Sequence, residues 1–518
     1  MKSVTDNLIV KSVSGKLSIK TITFIISYIL DNPNTKFKIL LILAGTCKQL
    51  RYSISNLSSL NLSNSVDLYT LFNYSFRNLS SLNLSNNVDP YRLFNYRFRN
   101  LSQLKHLDLS GIICTKREIS HVQRAMIISS LKHLKSFKYN DNDPRLLRLC
   151  LQNLPNLESL SLSYVDIGKY GDILSPVFRR LTCLTTLDLS HTIAGEYYYD
   201  RDMHNRGMKK ILRALPSSIT TFIFSRHSIP DARVKLDGKI IHKPLKNDEM
   251  RAVADGLSRL TNLTTLDLSW SCINTRFMKV LAPALCSLTQ LKTLHLDRIH
   301  DSYREGEGEI FILVANVIKA IPQLEILTLG ENYINTNMTE LCSAFRNLDK
   351  LKKLELKYIH SDSDSFSSII TVLPYMTSLT YLGLEMTGCN AMHIPLLWNA
   401  LSNHTTLTSL DLSNNNICDQ YNTEPHFEYL PPIPKLVELN LSYNNFNRND
   451  MKIILDAQTE LKTLNFDRNV IDMEGLNFLI PSFETMTKLR SLSISSKSYS
   501  NQLNYDVLSH LTSLKLNR

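Results

Sequence analysis

The segment Leu407-Thr-Ser-Leu410-Asp-Leu412-Ser-Asn-Asn415 places three leucines in the order Leu-x-x-Leu-x-Leu and follows them with asparagine. The same phrase returns as Leu184-Thr-Thr-Leu187-Asp-Leu189 and as Leu263-Thr-Thr-Leu266-Asp-Leu268. Including looser matches, its first position occurs at residues 57, 79, 104, 134, 157, 184, 219, 263, 291, 324, 351, 379, 407, 436, 461, 489 and 511. Self-similarity of this extent indicates a repeat protein rather than one globular core.

Each phrase predicts a short β-strand. Side chains alternate between the two faces of a strand, so the leucines of Leu-x-Leu share one face and the residue between them lies on the other. One unit cannot bury its leucines alone, but stacked units form a continuous core. After residue 263 the spacing leaves room for a helix, and helical periodicity is visible at 277–285, 311–318 and 338–345.

These residues resemble the leucine-rich-repeat family, whose unit is Leu-x-x-Leu-x-Leu-x-x-Asn, and the unit length resembles its ribonuclease-inhibitor-like subclass. The resemblance implies an α/β solenoid over residues 56–518, shaped as a horseshoe with a parallel β-sheet on the concave side and helices on the convex side. Asparagines at the last position of the unit are expected to satisfy backbone groups as the chain leaves the strand; these are Asn332, Asn415, Asn444 and Asn469.

Irregular spacing predicts insertions near 192–215 and 226–250. The first contains Tyr197, Tyr198 and Tyr199, an aromatic cluster typical of contact sites. In the second, Asp237-Gly238 between apolar alternations predicts a projecting hairpin flanked by Lys235 and Lys239. Insertions without any partner are the alternative interpretation.

Two apolar helices are predicted within residues 1–55, at 19–30 and 37–51, separated by Asp31-Asn-Pro-Asn34. A helical pair can cap the first repeat. The segment also resembles the F-box, which implies that an apolar face docks on the adaptor of an SCF-type ubiquitin ligase through Ile25, Ile29, Leu40, Leu43 and Leu50. It departs from that family at Leu17-Ser18, where Leu-Pro is usual, and in having no Trp near its end.

Catalytic and cofactor motifs are absent from the sequence. It has 15 glycines and neither a Gly-x-x-x-x-Gly-Lys loop nor a Gly-x-Gly-x-x-Gly turn, and its nine cysteines never form Cys-x-x-Cys. The net charge of +11 is dispersed rather than clustered. We therefore expect no catalytic residue, cofactor or metal, no nucleic-acid or membrane partner, and a location in the cytoplasm or nucleus.

The remaining candidate site is the concave face, which is expected to bind a protein. In the column between the strand leucines, acidic residues outnumber basic ones five to two, which favours a basic partner. The candidate contacts on and beside this column are Asp108, Asp188, Asp267, His295, Lys353, Glu355, Lys357, Tyr381, Glu385, Asp411 and Glu438. Two other interpretations are that Leu-Asp-Leu-Ser is only the ordinary consensus, and that the chain is a Ran-type GTPase activator or a plain scaffold or effector.

Overall fold

Strands and helices are described by a computed structural model. It covers residues 59–61, 79–83, 103–110, 128, 131–140, 144–165, 167, 170–191, 201–225, 229–230, 242–243, 247–271, 273–299, 309–334, 337–359, 363–419, 424–495 and 513–517. The chain divides into two units, Met1–Ile219 and Thr220–Arg518. Residues 1–55, with Ile25, Ile29, Leu40, Leu43 and Leu50, lie outside the described residues.

In the first unit, parallel strands pair in sequence order with equivalent residues opposite one another, as in Leu82 beside Leu107. The strands are β1 (Ser59–Asn61), β2 (Ser81–Asn83), β3 (His106–Asp108), β4 (Ser136–Lys138), β5 (Ser159–Ser161) and β6 (Thr186–Asp188). The helices are α1 (Pro144–Gln152), α2 (Gly171–Phe178) and α3 (Arg201–Leu212), and α2 packs against both others.

The second unit repeats this plan over a longer stretch. Its parallel strands are β7 (Thr221–Ile223), β10 (Thr265–Asp267), β11 (Thr293–His295), β12 (Ile326–Thr328), β13 (Lys353–Glu355), β14 (Tyr381–Gly383), β15 (Ser409–Asp411), β16 (Glu438–Asn440), β17 (Thr463–Asn465), β18 (Ser491–Ser495) and β19 (Ser513–Asn517). A separate antiparallel pair is formed by β8 (Ile229–Pro230) and β9 (His242–Lys243).

Helices of the second unit connect successive strands. They are α4 (Asn247–Leu257), α5 (Thr275–Cys286), α6 (Glu309–Ala320), α7 (Met338–Phe345), α8 (Ser363–Val372), α9 (His393–Leu401), α10 (Arg448–Ala457) and α11 (Met473–Thr485), and a short 3-10 turn, Leu373–Tyr375, follows α8. The helices predicted at 277–285, 311–318 and 338–345 are thus confirmed as α5, α6 and α7. The connection from β15 to β16 shows no helix in its described residues, 412–419 and 424–437.

The predicted solenoid is confirmed strand by strand. All seventeen parallel strands begin two residues after the first leucine position of a predicted unit, for example Thr265 after Leu263. The middle residue of a strand is buried and its neighbours face outward, so Leu266, Leu294 and Leu327 form consecutive layers that are 0% exposed. Burying one leucine contributes about 1.5–3 kcal/mol, and this layered core is what the repeats share.

The predicted asparagine positions are confirmed as backbone bridges. The Asn444 side chain is 0% exposed. Its Nδ2 donates to the carbonyls of Leu412 at 2.8 Å and Leu441 at 3.1 Å, and its Oδ1 accepts from the backbone N–H of Asn415 at 2.8 Å. Asn332, Asn415 and Asn469 make equivalent bonds. Each amide joins two adjacent turns of the solenoid.

Part of each predicted insertion forms regular secondary structure. Helix α3 fills 201–212 of the first, so only 192–200 precede it; Tyr197, Tyr198 and Tyr199 lie outside the described residues. In the second, Ile229 pairs with Lys243 and Pro230 with His242, and α4 begins at Asn247. The hairpin tip with Lys235, Asp237, Gly238 and Lys239 lies outside the described residues.

Candidate functional site

The face formed by the outward strand residues, here called the strand face, contains a charged cluster on β13 and β14. Register places Lys353 beside Tyr381 and Glu355 beside Gly383. Lys353 Nζ lies 3.3 Å from a Glu355 carboxylate oxygen and 4.6 Å from the centre of the Tyr381 ring. The Tyr381 hydroxyl donates to the other Glu355 oxygen at 3.4 Å. The structure thus brings together three of the predicted contact residues.

Glu355 is the buried member of the cluster, with a side chain only 11% exposed. Gly383 makes room for it: a β-carbon at Gly383 would lie 2.5 Å from a Glu355 carboxylate oxygen. Burial, together with the nearby charge of Glu355, raises the pKa of Tyr381 far above its ordinary value. Tyr381 therefore remains a neutral donor, and Lys353 supplies the cation that compensates the buried carboxylate.

Glu385 and Lys357 flank the cluster at the ends of their strands. The Tyr358 hydroxyl donates to a Glu385 carboxylate oxygen at 2.8 Å, and this bond raises the pKa of Tyr358. Lys357 packs its side chain near Gly330, where a β-carbon would lie 2.9 Å from Lys357 Cγ. Both predicted residues thus lie in turns, two residues beyond the strands that carry the charged cluster.

The predicted aspartates have a local structural role. Asp108, Asp188, Asp267 and Asp411 each accept a hydrogen bond from the backbone N–H of the serine two residues later, at 2.8–2.9 Å. Such bonds shape the turn that follows each strand. Asp108 and Asp188 belong to the first unit, whereas Asp411 lies in the strand after Tyr381 and adds to the negative potential around that tyrosine.

His295 and Glu438 lie apart from the charged cluster. A ring nitrogen of His295 is 3.0 Å from the hydroxyl of Thr328, which in turn donates to Asp297. Glu438 is exposed on β16, two strands beyond Tyr381. These two predicted contacts extend the strand face but do not join the cluster.

A second row of side chains was not foreseen from the sequence. In repeat after repeat, the residue seven positions after the first leucine has a positive φ, between 46° and 68°. We call these residues the left-handed row: Tyr164 and His191 in the first unit, and Trp270, Arg298, Glu331, Tyr358, Met386, Asn414, Tyr443 and Arg468 in the second. None is glycine, and a left-handed backbone costs other residues about 1–2 kcal/mol.

Neighbours in the left-handed row touch one another. In the first unit the Tyr164 and His191 rings stack with centres 4.2 Å apart. In the second, the Arg298 guanidinium lies 4.3 Å from the centre of the Trp270 ring and 3.6 Å from Glu331. Equivalent residues of neighbouring repeats therefore lie side by side in the turns, as they do in the sheet. The signal that would have revealed this row is its place in the repeat, because Glu331, Asn414, Tyr443 and Arg468 directly precede a bridging asparagine.

The row carries exposed apolar surface. Tyr358 is 37% exposed, Met386 42% and Tyr443 51%, and Tyr164 of the first unit is 53% exposed. Aromatic residues and methionine are enriched in protein interfaces relative to other surfaces. Because Tyr358 also bonds to Glu385, the row lies directly beside the charged cluster.

None of the described helices combines the length and apolarity needed to cross a bilayer.

Comparison with known proteins gives partial matches. No family model matches the chain. A Rho GTPase-activating protein of Dictyostelium discoideum is 22% identical over 228 residues, covering 40% of this chain and 20% of that protein. Mouse Toll-like receptor 9 is 24% identical over 206 residues, covering 38% of this chain and 17% of that protein. Bovine Tonsoku-like protein is 28% identical over 197 residues, covering 36% of this chain and 14% of that protein. The matches span a fifth or less of each relative.

Solved structures give broader but looser matches. An internalin of Listeria monocytogenes has a TM-score of 0.38 at 16% identity, covering 89% of this chain and 94% of its own. TLR13 in complex with single-stranded RNA has a TM-score of 0.39 at 18% identity, covering 85% of this chain and 66% of its own. LegL7 of Legionella pneumophila has a TM-score of 0.39 at 19% identity, covering 61% of this chain and 96% of its own. The chain's own phrase, strand register and asparagine bridges show the leucine-rich-repeat fold.

Proposed function

We propose that the second unit binds another protein through a contact patch made of Lys353, Tyr381 and Glu385 on the strand face and Tyr358 and Met386 in the left-handed row. The observation that carries this proposal is the exposure of Tyr358 and Met386 beside a charged cluster that is already internally paired. Exposed apolar groups next to ordered charges provide both buried area and orientation for a partner.

The charge of the patch favours a basic segment in the partner. Glu331, Glu355, Glu385 and Asp411 lie on or beside these repeats, against Lys353 and Lys357. Lys353 is engaged by Glu355 and Arg298 by Glu331, so Glu385, Asp411 and Lys357 remain and their balance around Tyr358 and Met386 is negative. A lysine or arginine beside an apolar anchor would complement this arrangement.

The test is affinity capture from cells of the source organism with three purified chains: unaltered, Tyr358→Ala/Met386→Ala, and Lys319→Ala. Lys319 is exposed on α6 and is the matched control. The expected result is a set of proteins retained by the unaltered and Lys319→Ala chains and lost with the double variant. Equal retention by all three chains would contradict the assigned patch.

A finer role, as an F-box-like substrate receptor of an SCF-type ubiquitin ligase, is supported by the sequence of residues 25–51 alone. It predicts that cullin-ligase subunits are captured by the full chain and lost when residues 1–55 are deleted. Capture by neither chain would leave the N-terminal segment as a cap for the repeats.

A GTPase-activating role is the second candidate, because one partial relative is named a Rho GTPase-activating protein. That match covers a fifth of the relative, so the activity is a proposal for this chain. It predicts faster GTP hydrolysis by Rho- or Ran-type GTPases when the chain is added. An unchanged rate across a panel of such GTPases would exclude this role.

A further inference from the structure

The connection from β15 to β16 differs from its neighbours because no helix is found in its described residues. Instead, Phe427, Leu430 and Ile433 insert into the core and are 5%, 1% and 2% exposed. This segment brings Cys418 and His426 against the first turn of α10, where Asp450 is 0% exposed.

The donor atoms of Cys418, His426 and Asp450 all lie within 4.8 Å of one another. Within the part of the chain that the structure describes, no other group of three such side chains comes together in this way. A thiolate, an imidazole and a carboxylate are the donors that Zn²⁺ uses in proteins, and sulfur with nitrogen distinguishes Zn²⁺ from Mg²⁺ or Ca²⁺. The three side chains are nine-tenths or more buried, unlike an ordinary polar surface cluster.

The carboxylate is held in place by the backbone of two segments. One Asp450 oxygen accepts from the backbone N–H of His426 at 2.7 Å, and the other lies 2.9 Å from His426 Nδ1. Asn447 closes a capping box with Asp450 and donates its Nδ2 to the carbonyl of Glu424 at 2.8 Å. The donors are therefore preorganised by main-chain contacts.

The two nitrogens of the His426 ring differ in their surroundings. His426 Nε2 is buried and has no hydrogen-bond partner among the described residues. A buried polar atom left unsatisfied costs about 1–3 kcal/mol. Nδ1, which lies 2.9 Å from an Asp450 oxygen, is the ring nitrogen that converges with the carboxylate, so a cation bound by all three side chains would be bound through Nδ1.

We propose that Cys418, His426 and Asp450 form a binding site for a zinc-class divalent cation, which would fasten the helix-free connection to α10. As the ion binds, the Cys418 thiol releases its proton to solvent and the thiolate forms the metal–sulfur bond. Thiolate and carboxylate together then balance the two positive charges of the ion. Because the thiolate rather than the thiol binds the ion, and a thiol is mostly protonated at neutral pH, cation binding should release about one proton.

The test is titration of the chelator-treated full chain with Co²⁺, which reports a thiolate bond through its charge-transfer absorption. The unaltered chain and Cys342→Ser, a buried cysteine outside the cluster, are expected to bind one Co²⁺ with this absorption and to lose it when Zn²⁺ is added. Cys418→Ser is expected to lose the absorption. His426→Ala is expected to bind at least about tenfold more weakly.

Two results would overturn the proposal: no thiolate absorption in the unaltered chain, or the same absorption in Cys418→Ser. Circular dichroism of each metal-free variant checks that the repeats remain folded. If Cys418→Ser were to unfold, His426→Ala and the number of protons released by the unaltered chain would decide the matter in its place. Release of no proton on adding Zn²⁺ would exclude a thiolate ligand.

Discussion

Gly383 lies directly opposite Glu355 in the parallel ladder, and the carboxylate of Glu355 occupies the space that a side chain at Gly383 would fill. The two residues lie one repeat apart, and the missing side chain of Gly383 leaves the space for Glu355. The charged cluster of the strand face depends on the space at Gly383, because Glu355 in turn contacts Lys353 and Tyr381.

Gly383→Ala is therefore expected to displace the Glu355 carboxylate from Lys353 and Tyr381 and to lower the free energy of unfolding by about 0.5–1.5 kcal/mol, the value of a lost hydrogen bond. Urea unfolding followed by circular dichroism measures this change. Ser409→Ala, on the neighbouring strand, is the control, since a β-carbon is already accommodated there. A stability equal to that of the control would show that Glu355 can move at no cost.

Asn444→Ala removes an amide that serves three backbone groups of two turns, at Leu412, Leu441 and Asn415. Because these groups lose their partner inside the protein, the expected loss of stability is about 2–4 kcal/mol. Asn403→Ala, at an exposed turn position, should change stability by less than about 0.5 kcal/mol. The same denaturant experiment compares the two, and similar small losses would contradict the bridging role.

His404 predicts a dependence of stability on pH. It is 3% exposed, its Nε2 lies 2.8 Å from the carbonyl of Leu373, and burial lowers its pKa from the ordinary 6.5. The folded state thus favours the neutral ring. The contribution of neutral His404 to the free energy of unfolding is complete above pH 6.5. It is lost as the pH falls through the lower folded-state pKa, because the unfolded chain takes up the proton first.

The matching variant is His404→Gln, which keeps a donor for the Leu373 carbonyl. Stability of the unaltered chain should fall more steeply between about pH 7.5 and about pH 5.5 than that of the variant. Thermal unfolding at both pH values provides the measurement. Identical slopes would mean that His404 is solvated in the folded chain.

Thiol reactivity should separate the cysteines by burial. Cys183 is exposed, whereas Cys342 and Cys389 are buried and their burial raises the pKa of both thiols, that of Cys342 to about 12. With an alkylating reagent at neutral pH, Cys183 is expected to react in the folded chain, and Cys342 and Cys389 only after denaturation. Peptide mapping by mass spectrometry identifies each site; prompt labelling of Cys389 in the folded chain would contradict its burial.

The repeated elements could be predicted from the sequence because one physical requirement generates them. Leucines at alternate positions are needed in each turn for the core, so every strand falls on a predicted phrase. Asn332, Asn415, Asn444 and Asn469 were recognisable because each holds the backbone where its repeat leaves the strand. That no helix forms in the described residues between β15 and β16 also has a local cause. Pro425, Pro431, Pro432 and Pro434 remove the N–H groups that a helix would use.

The left-handed row and the Cys418–His426–Asp450 cluster could not be predicted in the same way. Tyr358, Met386 and Arg298 have no intrinsic preference for a left-handed backbone, so the turn imposes it on them. Cys418 and Asp450 are distant in sequence and follow no ligand spacing; stacking of the repeats brings them together. Residue types that every repeat shares are visible in one sequence, whereas contacts between different repeats require the fold.

The stacking distance of the strands also limits how far a partner can follow the left-handed row. Backbones of adjacent strands lie about 4.8 Å apart, whereas one turn of a partner helix advances about 5.4 Å. Such a helix would drift about 0.6 Å per repeat and would be half a repeat out of phase after about four. Because the two repeat distances differ, the helix and the left-handed row can stay in register only over a short stretch. A straight helical ligand would therefore contact a few consecutive row residues, such as Tyr358 to Tyr443, and a longer match would require it to bend.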